Sequence, residues 1–496
     1  MDTGRFLQVE SPATLETLGQ VPLMGEEDIV FLAKRAKEAF IGWKDLEVKQ
    51  RAQRIRRAID AFIDEKERIL DTICLETGKT RTEALYELFG AINILTFYRK
   101  HAKYFLKDES RTPHGPMRFL KRVFIRYFPR GVVGVISPWN YPFLLPLCDA
   151  GPALIAGNCV ILKPSEFTPL TALLIQDIFH RAELPEGVYQ TATGNGKTGE
   201  HVVRHSDMVA FTGSHSTGLK IAEACARVLK PFSLELGGKD PAIVLEGGDL
   251  KRIAKGIVWG SLFNTGQTCV SIERIYATEA VYEAFVSLVL KEVKGLRMGI
   301  DEKFSVDMGS MTTHAQLQTV ERHIEDALAK GAKVLAGGKR VPSLGGYFFE
   351  PTVVVDVRPG MAIMDEESFG PIVAIQKVKD GEEALAAANQ STYGLSASVW
   401  GNQKKALLLS RRLESGSVCI NEALTNFMVP ELPFGGIKQS GYGTRHGKEG
   451  IRRFVRSQSV LLPRFTPNRE VVWYPYSKSV ARMIERGLAW LYRSRF

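Results

Sequence analysis

Cysteine is scarce in this chain of 496 residues: there are six, and no two of them form a Cys-X-X-Cys pair. A zinc knuckle or a dithiol redox motif is therefore not indicated, and we expect no metal site. Scattered cysteines in so long a chain are typical of free thiols in a reducing compartment. The first residues, M-D-T-G-R-F-L-Q-V-E, lack a basic-then-apolar run. We therefore expect no signal peptide and a cytoplasmic location.

A long uninterrupted apolar segment is also lacking. The nearest approach is the stretch 131–162, where Asp149 is the only charged residue. Prolines and asparagines interrupt it repeatedly, whereas a membrane-spanning helix needs about 20 consecutive apolar residues. A buried strand, turn, helix and strand explain this stretch better.

Acidic residues are outnumbered by basic ones, 55 to 65, which gives a net charge of +10. Half of that excess lies in the last 33 residues, 464–496, where seven basic residues face two acidic ones. No nucleic-acid-binding motif accompanies the charge, so we expect no nucleic-acid partner.

The pattern of the chain changes near residue 131. Residues 25–110 are rich in helix formers with helical apolar spacing, and from 131 onward short apolar runs alternate with helix-like stretches. The same rhythm restarts at 236–246. Strands that alternate with helices predict an α/β fold with mostly parallel, doubly wound sheets.

The stretch T-G-N-G-K-T-G-E at 193–200 contains Gly-X-Gly-X-X-Gly and Gly-Lys-Thr. A nucleotide-phosphate loop fails on spacing, because Thr191 stands where its first glycine belongs. A dinucleotide turn would need an acidic residue about 20 positions later, where F-T-G-S-H-S-T-G lies instead. Phosphate binding and a plain tight turn both stay open here. Gly213 and Ser214 are the better phosphate candidates, because they follow a strong strand and Ser214 can cap a helix.

Seven motifs follow one another in a specific order. They are P-W-N-Y-P (138–142), I-L-K-P-S-E (161–166), F-T-G-S (211–214), L-E-L-G-G-K (234–239), G-Q-T-C (266–269), E-S-F-G-P (367–371) and P-F-G-G-I-K-Q-S-G (433–441). Together they resemble the aldehyde dehydrogenase superfamily, up to about residue 460. The resemblance is greatest to bacterial members often labelled succinate-semialdehyde dehydrogenase.

The resemblance implies a division into domains. A Rossmann-like cofactor domain would take 1–118 and 138–235, and an α/β catalytic domain 236–430. A small β arm for oligomerisation would take 119–137 and 445–463, followed by a basic tail, 464–496. A homodimer or homotetramer is implied.

The chemistry of the residues agrees with this resemblance. An aldehyde gives up hydride poorly, but a thiolate that adds to its carbonyl makes a tetrahedral oxyanion that gives it up well. By resemblance Cys269 is the nucleophile. The side chain of Asn140 and the Cys269 backbone N–H stabilise the oxyanion. Glu235 is the base that activates water against the thioester. The alternatives are a cysteine that fills space and an asparagine that caps a turn.

The resemblance also assigns a cofactor site. A glutamate near the adenosine ribose repels a 2′-phosphate, which favours NAD, with NADP open as the alternative. The ribose position is occupied by Lys163 and Glu166, the pyrophosphate turn by Gly213 and Ser214, the nicotinamide-ribose position by Glu367 and Phe369, and a neighbouring position by Trp139.

The substrate is less well specified. Relatives that bind a succinate carboxylate can carry arginines where this chain has Cys148 and Phe263. Burying a carboxylate without a cation is costly, so we expect an apolar aliphatic or aromatic aldehyde. The alternatives are succinate semialdehyde and a CoA-acylating reaction, which Glu235 disfavours. The expected lining consists of Tyr141, Leu145, Phe263, Met428 and Phe434.

Two features near the end depart from the family. The segment S-G-Y-G-T-R-H-G places Thr444 where many members have arginine. Beyond it, from Ser477, apolar residues recur on one face of a predicted helix with basic residues off that face. This helix either packs on the protein itself or a neighbouring subunit, or lies on an anionic membrane surface as a peripheral contact.

Overall fold

The computed structural model describes residues 6–493, so the first five and the last three residues, including the end of the tail, lie outside the description. The four helices α1–α4 follow each other over 26–105, as the helical spacing predicted. The helices are α1 (Glu26–Asp45), α2 (Val48–Asp64), α3 (Lys66–Thr77), α4 (Arg81–Phe105), α5 (Met117–Leu120), α6 (Leu144–Ile155), α7 (Pro169–Arg181), α8 (Gly196–His205), α9 (His215–Ala226), α10 (Leu250–Leu262), α11 (Tyr282–Lys294), α12 (His314–Ala329), α13 (Ala362–Asp365), α14 (Gly381–Asn389), α15 (Gln403–Ser410), α16 (Gly447–Arg452) and α17 (Lys478–Tyr492).

The strands form two large sheets and three small ones. The strands are β1 (Phe6–Glu10), β2 (Thr17–Pro22), β3 (Glu109–Arg111), β4 (Lys121–Pro129), β5 (Val132–Ile136), β6 (Cys159–Lys163), β7 (Tyr189–Thr191), β8 (Met208–Thr212), β9 (Phe232–Glu235), β10 (Asp240–Val244), β11 (Ile272–Thr278), β12 (Lys333–Ala336), β13 (Thr352–Val355), β14 (Ile372–Val378), β15 (Tyr393–Gly394), β16 (Ser396–Trp400), β17 (Ser417–Ile420), β18 (Ile437–Lys438), β19 (Gly441–Tyr442) and β20 (Val455–Pro463).

The first large sheet has the order β19-β9-β8-β5-β6-β7. Strands β5 to β9 run parallel, and β19 pairs antiparallel with β9. Every residue of β5, β6 and β8 is buried, as expected for strands covered by helices on both faces. The chain turns back at β5, so the sheet is doubly wound and the α/β prediction is confirmed.

Three boundaries of the predicted arm need correction. Strand β5 (Val132–Ile136), assigned from sequence to the arm, is the centre of the first sheet, because its apolar run is buried on both faces. Strand β3 (Glu109–Arg111), assigned to the cofactor domain, pairs with β4 in the arm. The second arm segment, assigned as 445–463, belongs to the arm only from Val455, because the preceding helix α16 packs on α4 and α6.

The second large sheet has the order β12-β13-β14-β11-β10-β16-β17 and is parallel except for β12. Its first strand in the chain, β10, begins at Asp240, shortly after β9 ends at Glu235. The connection 236–239 therefore joins the two sheets and places Glu235 between them.

The apolar stretch 131–162 forms β5, α6 and β6, as predicted. All twelve residues of α6 are buried, although Pro152 lies inside the helix. In the described residues, no helix is both long enough and apolar enough to cross a membrane.

The arm is a three-stranded antiparallel sheet with the order β20-β4-β3. The tail leaves it beside α5, held by an ion pair of 2.6 Å between Lys121 Nζ and Glu470 Oε1. The predicted helix of the tail is present as α17. Its apolar stripe is exposed: Met483 is 55% and Leu488 is 55% accessible, so within this chain the stripe does not pack on the protein's own body.

Candidate active site

The carboxyl ends of four parallel strands bring most of the candidate residues to one edge of the first sheet. Asn140 follows β5, Lys163 ends β6, Ser214 follows β8 and Glu235 ends β9. In open α/β sheets, ligands bind at this edge where the strand order reverses. These four residues, which are far apart in the chain, therefore lie along one edge of the sheet.

Cys269 lies on a loop between a short 3₁₀ turn (Phe263–Gly266) and β11. Two contacts tie this loop to the segment after β5. The Asn140 side-chain amide donates to the Gln267 carbonyl at 3.0 Å, and the hydroxyls of Tyr141 and Thr268 are 2.7 Å apart. The fold thus brings the predicted nucleophile and the predicted oxyanion residue together.

The Asn140 amide is free to do more than bridge the loops. Its side chain is only 3% exposed, and its Oδ1 has no hydrogen-bond partner among residues 6–493. A primary amide carries two N–H donors, and one of them is used by Gln267. The second N–H can stabilise a negatively charged oxygen.

A buried pair that sequence reasoning missed supports Asn140 from behind. Lys79 Nζ donates at 2.7 Å both to the Asn140 carbonyl and to Glu87 Oε2. Glu87 Oε1 accepts from the backbone N–H of Phe143 and Leu144, at the start of α6. No local motif marks the pair, because Lys79 and Glu87 meet Asn140 only through tertiary packing.

Glu235 is buried, with 4% of its surface exposed. Burial raises the pKa of its carboxyl to about 7, against the opposing effect of Arg445 and Arg453. A carboxyl with a pKa near 7 can exchange a proton at neutral pH, which suits a general base.

The surroundings of Cys269 favour its protonated thiol form. Burial, followed by the carboxyl groups of Asp240, Glu367 and Glu235, raises the pKa of the thiol to about 12. A thiolate is the reactive form, so the reaction requires a nearby positive charge or a base.

The two glycines of L-E-L-G-G-K permit this crowding. A Cβ on Gly237 would lie 2.3 Å from Glu367 Oε2, and one on Gly238 would lie 2.5 Å from the Cys269 carbonyl oxygen. Real side chains do not approach so closely, so glycine allows Glu367 and Cys269 to approach the connection that follows Glu235.

The E-S-F-G-P loop is held in place through Lys239, the lysine of the L-E-L-G-G-K motif. Lys239 Nζ donates to Glu273 at 2.5 Å, and Glu273 accepts from the backbone N–H of Ser368 and Phe369. Glu367 in turn accepts from the Gly238 N–H at 2.9 Å, and burial raises the pKa of its carboxyl to about 8.

The remaining cofactor candidates lie at or near this edge of the first sheet, and their chemistry is compatible with a dinucleotide. Lys163 and Glu166 are ion-paired at 3.3 Å at the end of β6. Ser214 caps α9 by accepting from the Thr217 N–H, so the helix presents its amino end at the sheet edge. The adjacent Gly213 leaves no room for a side chain, because a Cβ there would lie 2.6 Å from the Phe211 ring.

Two further observations concern the same edge of the sheet. The rings of Trp139 and Phe369 meet edge to face, with centroids 5.5 Å apart. The buried Ser137 Oγ, directly after β5, has no partner among residues 6–493. An unpartnered buried hydroxyl at this edge is a group that a ligand can satisfy.

The stretch 193–200 behaves as a helix start. Helix α8 begins at Gly196. The side chain of Asn195 caps this helix by accepting a hydrogen bond from the backbone N–H of Lys197. Thr198 Oγ1 donates to the Met24 carbonyl at 2.7 Å, which fixes the turn against the chain before α1. These two hydrogen bonds are those of a capped helix start.

A cavity of about 600 Å³ leads to Cys269 from the surface. Four predicted residues line it, but Phe434 lies one layer behind, packed on Phe427 with ring centroids 4.9 Å apart. Sequence reasoning missed the outer wall, because α4 and α10 carry no family motif. The lining consists of Leu85, Tyr86, Glu87, Phe89, Tyr141, Leu144, Leu145, Trp259, Phe263, Thr268, Cys269, Val270, Leu424, Thr425, Phe427 and Met428.

Among residues 6–493, the lining of this cavity contains no lysine, arginine or histidine. Its one acidic residue, Glu87, is fully hydrogen-bonded, and its partner Lys79 is occupied by Glu87 and Asn140. Of the two positions where a carboxylate-binding arginine was sought, only Phe263 faces the cavity. Cys148 lies buried on α6 outside the lining.

Comparisons with known proteins agree with this geometry. The model of the aldehyde dehydrogenase family matches residues 1–460. The chain belongs to that family. It therefore catalyses the NAD(P)-dependent oxidation of an aldehyde.

Two relatives illustrate its place within the aldehyde dehydrogenases. A protein of Mycobacterium ulcerans (strain Agy99), named provisionally as an NADP(+) succinate-semialdehyde dehydrogenase, is 40% identical over 92% of this chain and 88% of its own. A 4,4'-diapolycopene aldehyde oxidase of Methylomonas sp is 39% identical over 95% of this chain and 88% of its own.

Solved structures share the fold. The crystal structure of a Mycobacterium tuberculosis aldehyde dehydrogenase complexed with NAD+ is similar with a TM-score of 0.89 at 34% identity, over 94% of this chain and 96% of that one. An Escherichia coli NADP-dependent enzyme has a TM-score of 0.89 at 32% identity, over 93% and 95% of the two chains.

Proposed function

We propose that this aldehyde dehydrogenase oxidises apolar aldehydes, aliphatic or aromatic, through a covalent intermediate on Cys269. The Cys269 thiol gives up its proton to solvent through the open cavity, and the positive charge of an oxidised nicotinamide ring would favour the thiolate. The thiolate adds to the carbonyl carbon, and the second N–H of Asn140 and the Cys269 N–H stabilise the oxyanion. When bound, the nicotinamide cofactor accepts the hydride. The contact between the Asn140 and Cys269 loops supports this assignment.

Glu235 is the base for the second half of the reaction. The thioester left on Cys269 must be attacked by water, and a buried carboxyl with a pKa of about 7 can take up the proton. This step also distinguishes the reaction from a CoA-acylating one, in which CoA rather than water releases the acyl group. Product formation with and without CoA tests the distinction.

We assign NAD as the preferred cofactor, with NADP as the alternative. The carboxylate of Glu166 is partly exposed at the end of β6, where a ribose would lie, and would repel a 2′-phosphate. Lys163 is already paired with Glu166, so it is not free to attract that phosphate. The ratio of kcat/KM for the two cofactors tests this preference, and Glu166→Gln should lower the ratio.

The observation that carries the substrate assignment is the lining of the cavity. It offers no cation to a substrate carboxylate, and its rim continues outward as exposed aromatic rings. Phe89 is 62%, Tyr86 49% and Trp259 39% exposed. A relative named for a 4,4'-diapolycopene aldehyde supports a long apolar substrate. The mycobacterial names favour succinate semialdehyde, which remains the alternative.

For the assembly, we propose a homodimer or homotetramer formed through the arm. Strand β20 is at the edge of its sheet, and Leu461 and Leu462 on it are 60% and 48% exposed. An exposed apolar edge strand invites pairing with another chain. Light scattering during gel filtration measures the mass, and Leu461→Lys should lower it to that of a monomer.

We further propose that α17 contacts an anionic membrane surface. Its exposed stripe is flanked by Lys478, Arg482 and Arg486, and Trp490 near its end is 72% exposed. The segment before α5 contacts the end of α17, since the rings of His114 and Tyr492 are 6.4 Å apart, and α5 itself carries the exposed Met117 and Phe119. An amphipathic helix with such a pattern lies in the membrane interface.

Co-sedimentation with vesicles of phosphatidylserine and phosphatidylcholine tests this contact. The full chain should pellet at low salt and be released at high salt, whereas a chain truncated after Pro475 should stay in solution. If the full chain stays in solution as well, α17 instead covers a neighbouring subunit.

A further inference from the structure

Three buried charges lie behind Glu235 and are used by none of the steps above. They are Asp149 on α6, Arg445 before α16, and Arg453 after it. Their side chains are 1%, 2% and 10% exposed, respectively. Arg445 belongs to the segment S-G-Y-G-T-R-H-G, which departs from the family pattern. We call these three residues the charge cluster.

One carboxylate in the charge cluster serves two guanidinium groups. Arg445 donates from Nε and Nη2 to the two oxygens of Asp149, at 3.0 and 2.5 Å. Arg453 donates from Nη2 to Asp149 Oδ1 and from Nη1 to Ser233 Oγ at 3.1 Å. The cluster therefore carries a net charge of +1 inside the protein.

The cluster reaches the strand that carries Glu235 at two points. Arg445 donates to Thr212 Oγ1, and Thr212 is the residue paired with Glu235 across β8 and β9. Ser233, the partner of Arg453, lies two residues before Glu235 on β9. Side chains two residues apart on a strand share one face of the sheet. The guanidinium groups and the Glu235 carboxyl are therefore on the same side.

Little else acts on the Glu235 carboxyl. No residue within 6–493 donates a hydrogen bond to it, so burial and charges acting through space determine its proton affinity. The other ionisable groups around the cluster are Cys269, Cys148 and Tyr98, whose pKa values burial raises, and His446, whose pKa burial and Arg445 lower to about 3. All four are uncharged at neutral pH.

We propose that the charge cluster sets the proton affinity of Glu235 and so positions it to act as a base near neutral pH. The guanidinium groups of Arg445 and Arg453 favour the carboxylate form, and Asp149 offsets part of their effect. The proposal rests on the proposed role of Glu235, but it concerns a separate property, the midpoint of its titration.

The sign of the effect provides the test. Removing the charge of Asp149 should make the surroundings more positive and move the Glu235 titration to lower pH. Removing the charge of Arg453 should move it to higher pH. Each shift should be about one pH unit, which corresponds to a change of about 1.4 kcal/mol in the interaction of Glu235 with its charged surroundings. Ser233→Ala, which removes a neutral hydrogen-bond partner of Arg453, is the matched control and should leave the midpoint in place.

The experiment measures the titration of Glu235 directly. Infrared spectra of the full-length enzyme are recorded over a pH series, and the matching Glu235→Gln spectrum in each background is subtracted. Asp149→Asn and Arg453→Gln should move the carboxyl band's midpoint in opposite directions. If the two variants shift the midpoint in the same direction, the cluster affects Glu235 through a change of structure and not through its charge. That result would overturn the proposal. If Asp149→Asn does not fold, Arg453→Gln against Arg453→Lys decides, since the lysine should keep the wild-type midpoint.

Deacylation kinetics on the same proteins separate the two proposals. If the infrared midpoints shift as expected and the pH profile of deacylation shifts with them, both are supported. If the infrared midpoints shift while deacylation keeps its profile, the cluster tunes Glu235 but Glu235 is not the base. Unchanged infrared midpoints contradict the tuning, whatever the kinetics show.

Discussion

The apolar cavity predicts how activity depends on the length of the aldehyde chain. Each methylene that enters the cavity is removed from water, which is worth about 0.8 kcal/mol, or about a fourfold gain in kcat/KM. For straight-chain aldehydes from propanal upward, kcat/KM should therefore rise about fourfold per carbon until the cavity of about 600 Å³ is filled.

A carboxylate at the end of the chain should have the opposite effect. Succinate semialdehyde would place its charge against Tyr86, Trp259 and Phe263, with no cation in the described lining. Such burial costs about 3 kcal/mol or more, so hexanal should exceed succinate semialdehyde by at least about 100-fold in kcat/KM.

Initial rates of NADH formation at subsaturating aldehyde measure both effects. Benzaldehyde serves as the aromatic comparison, and each aldehyde is run with NAD and with NADP. A flat dependence on chain length, or a preference of tenfold or more for succinate semialdehyde, would refute the reasoning from the lining. In that case the carboxylate is bound by groups outside the described lining.

Three further predictions concern single residues. Phe263→Arg should raise kcat/KM for succinate semialdehyde about tenfold and lower it for hexanal, because a cation then faces the carboxylate; Phe263→Met is the neutral control, and an equal loss for both aldehydes would contradict the placement. Because burial raises the pKa of Glu235 to about 7, single-turnover deacylation should slow about tenfold per pH unit below that value as the base becomes protonated, whereas acylation should not follow the same curve. Lys79→Met should lower the free energy of unfolding, measured in urea, by about 3–5 kcal/mol, because it leaves the buried Glu87 without its cation. Adding Glu87→Gln to this variant should recover part of the loss. No recovery would mean that lost packing, not the lost ion pair, causes the destabilisation.

Much of the fold could be predicted from sequence, because its signals are local. Apolar strand runs such as V-V-G-V-I and N-C-V-I-L-K report burial on both faces, and Ser214 before α9 is a local helix cap. The arm boundary failed for the same reason. A short apolar strand such as Val132–Ile136 looks alike in an arm and in a sheet centre, and only its long-range partners β6 and β8 distinguish them.

The active site shows the same difference between local signals and long-range contacts. The motifs indicated Cys269, Asn140 and Glu235, which the fold places on loops and a strand end at the junction of the two sheets. The residues that support and surround them were not predictable. Asp149 and Arg445 are 296 positions apart in the chain, and Lys79 and Asn140 are 61 apart. Their contacts follow from the packing of α4, α6 and the segment before α16, which no spacing in the sequence reports.

The central claim, a thioester on Cys269 formed from an apolar aldehyde, is tested most directly by trapping it. Glu235→Gln is mixed with hexanal and NAD, quenched in acid, and examined by intact and peptide mass spectrometry. The account predicts a burst of NADH equal to the active sites and a hexanoyl group on the peptide that contains Cys269. The double variant that carries both Glu235→Gln and Cys269→Ala should give neither the burst nor the acyl group. NADH turnover without any acyl group on Cys269, or turnover that survives Cys269→Ala within tenfold of wild type, would contradict it.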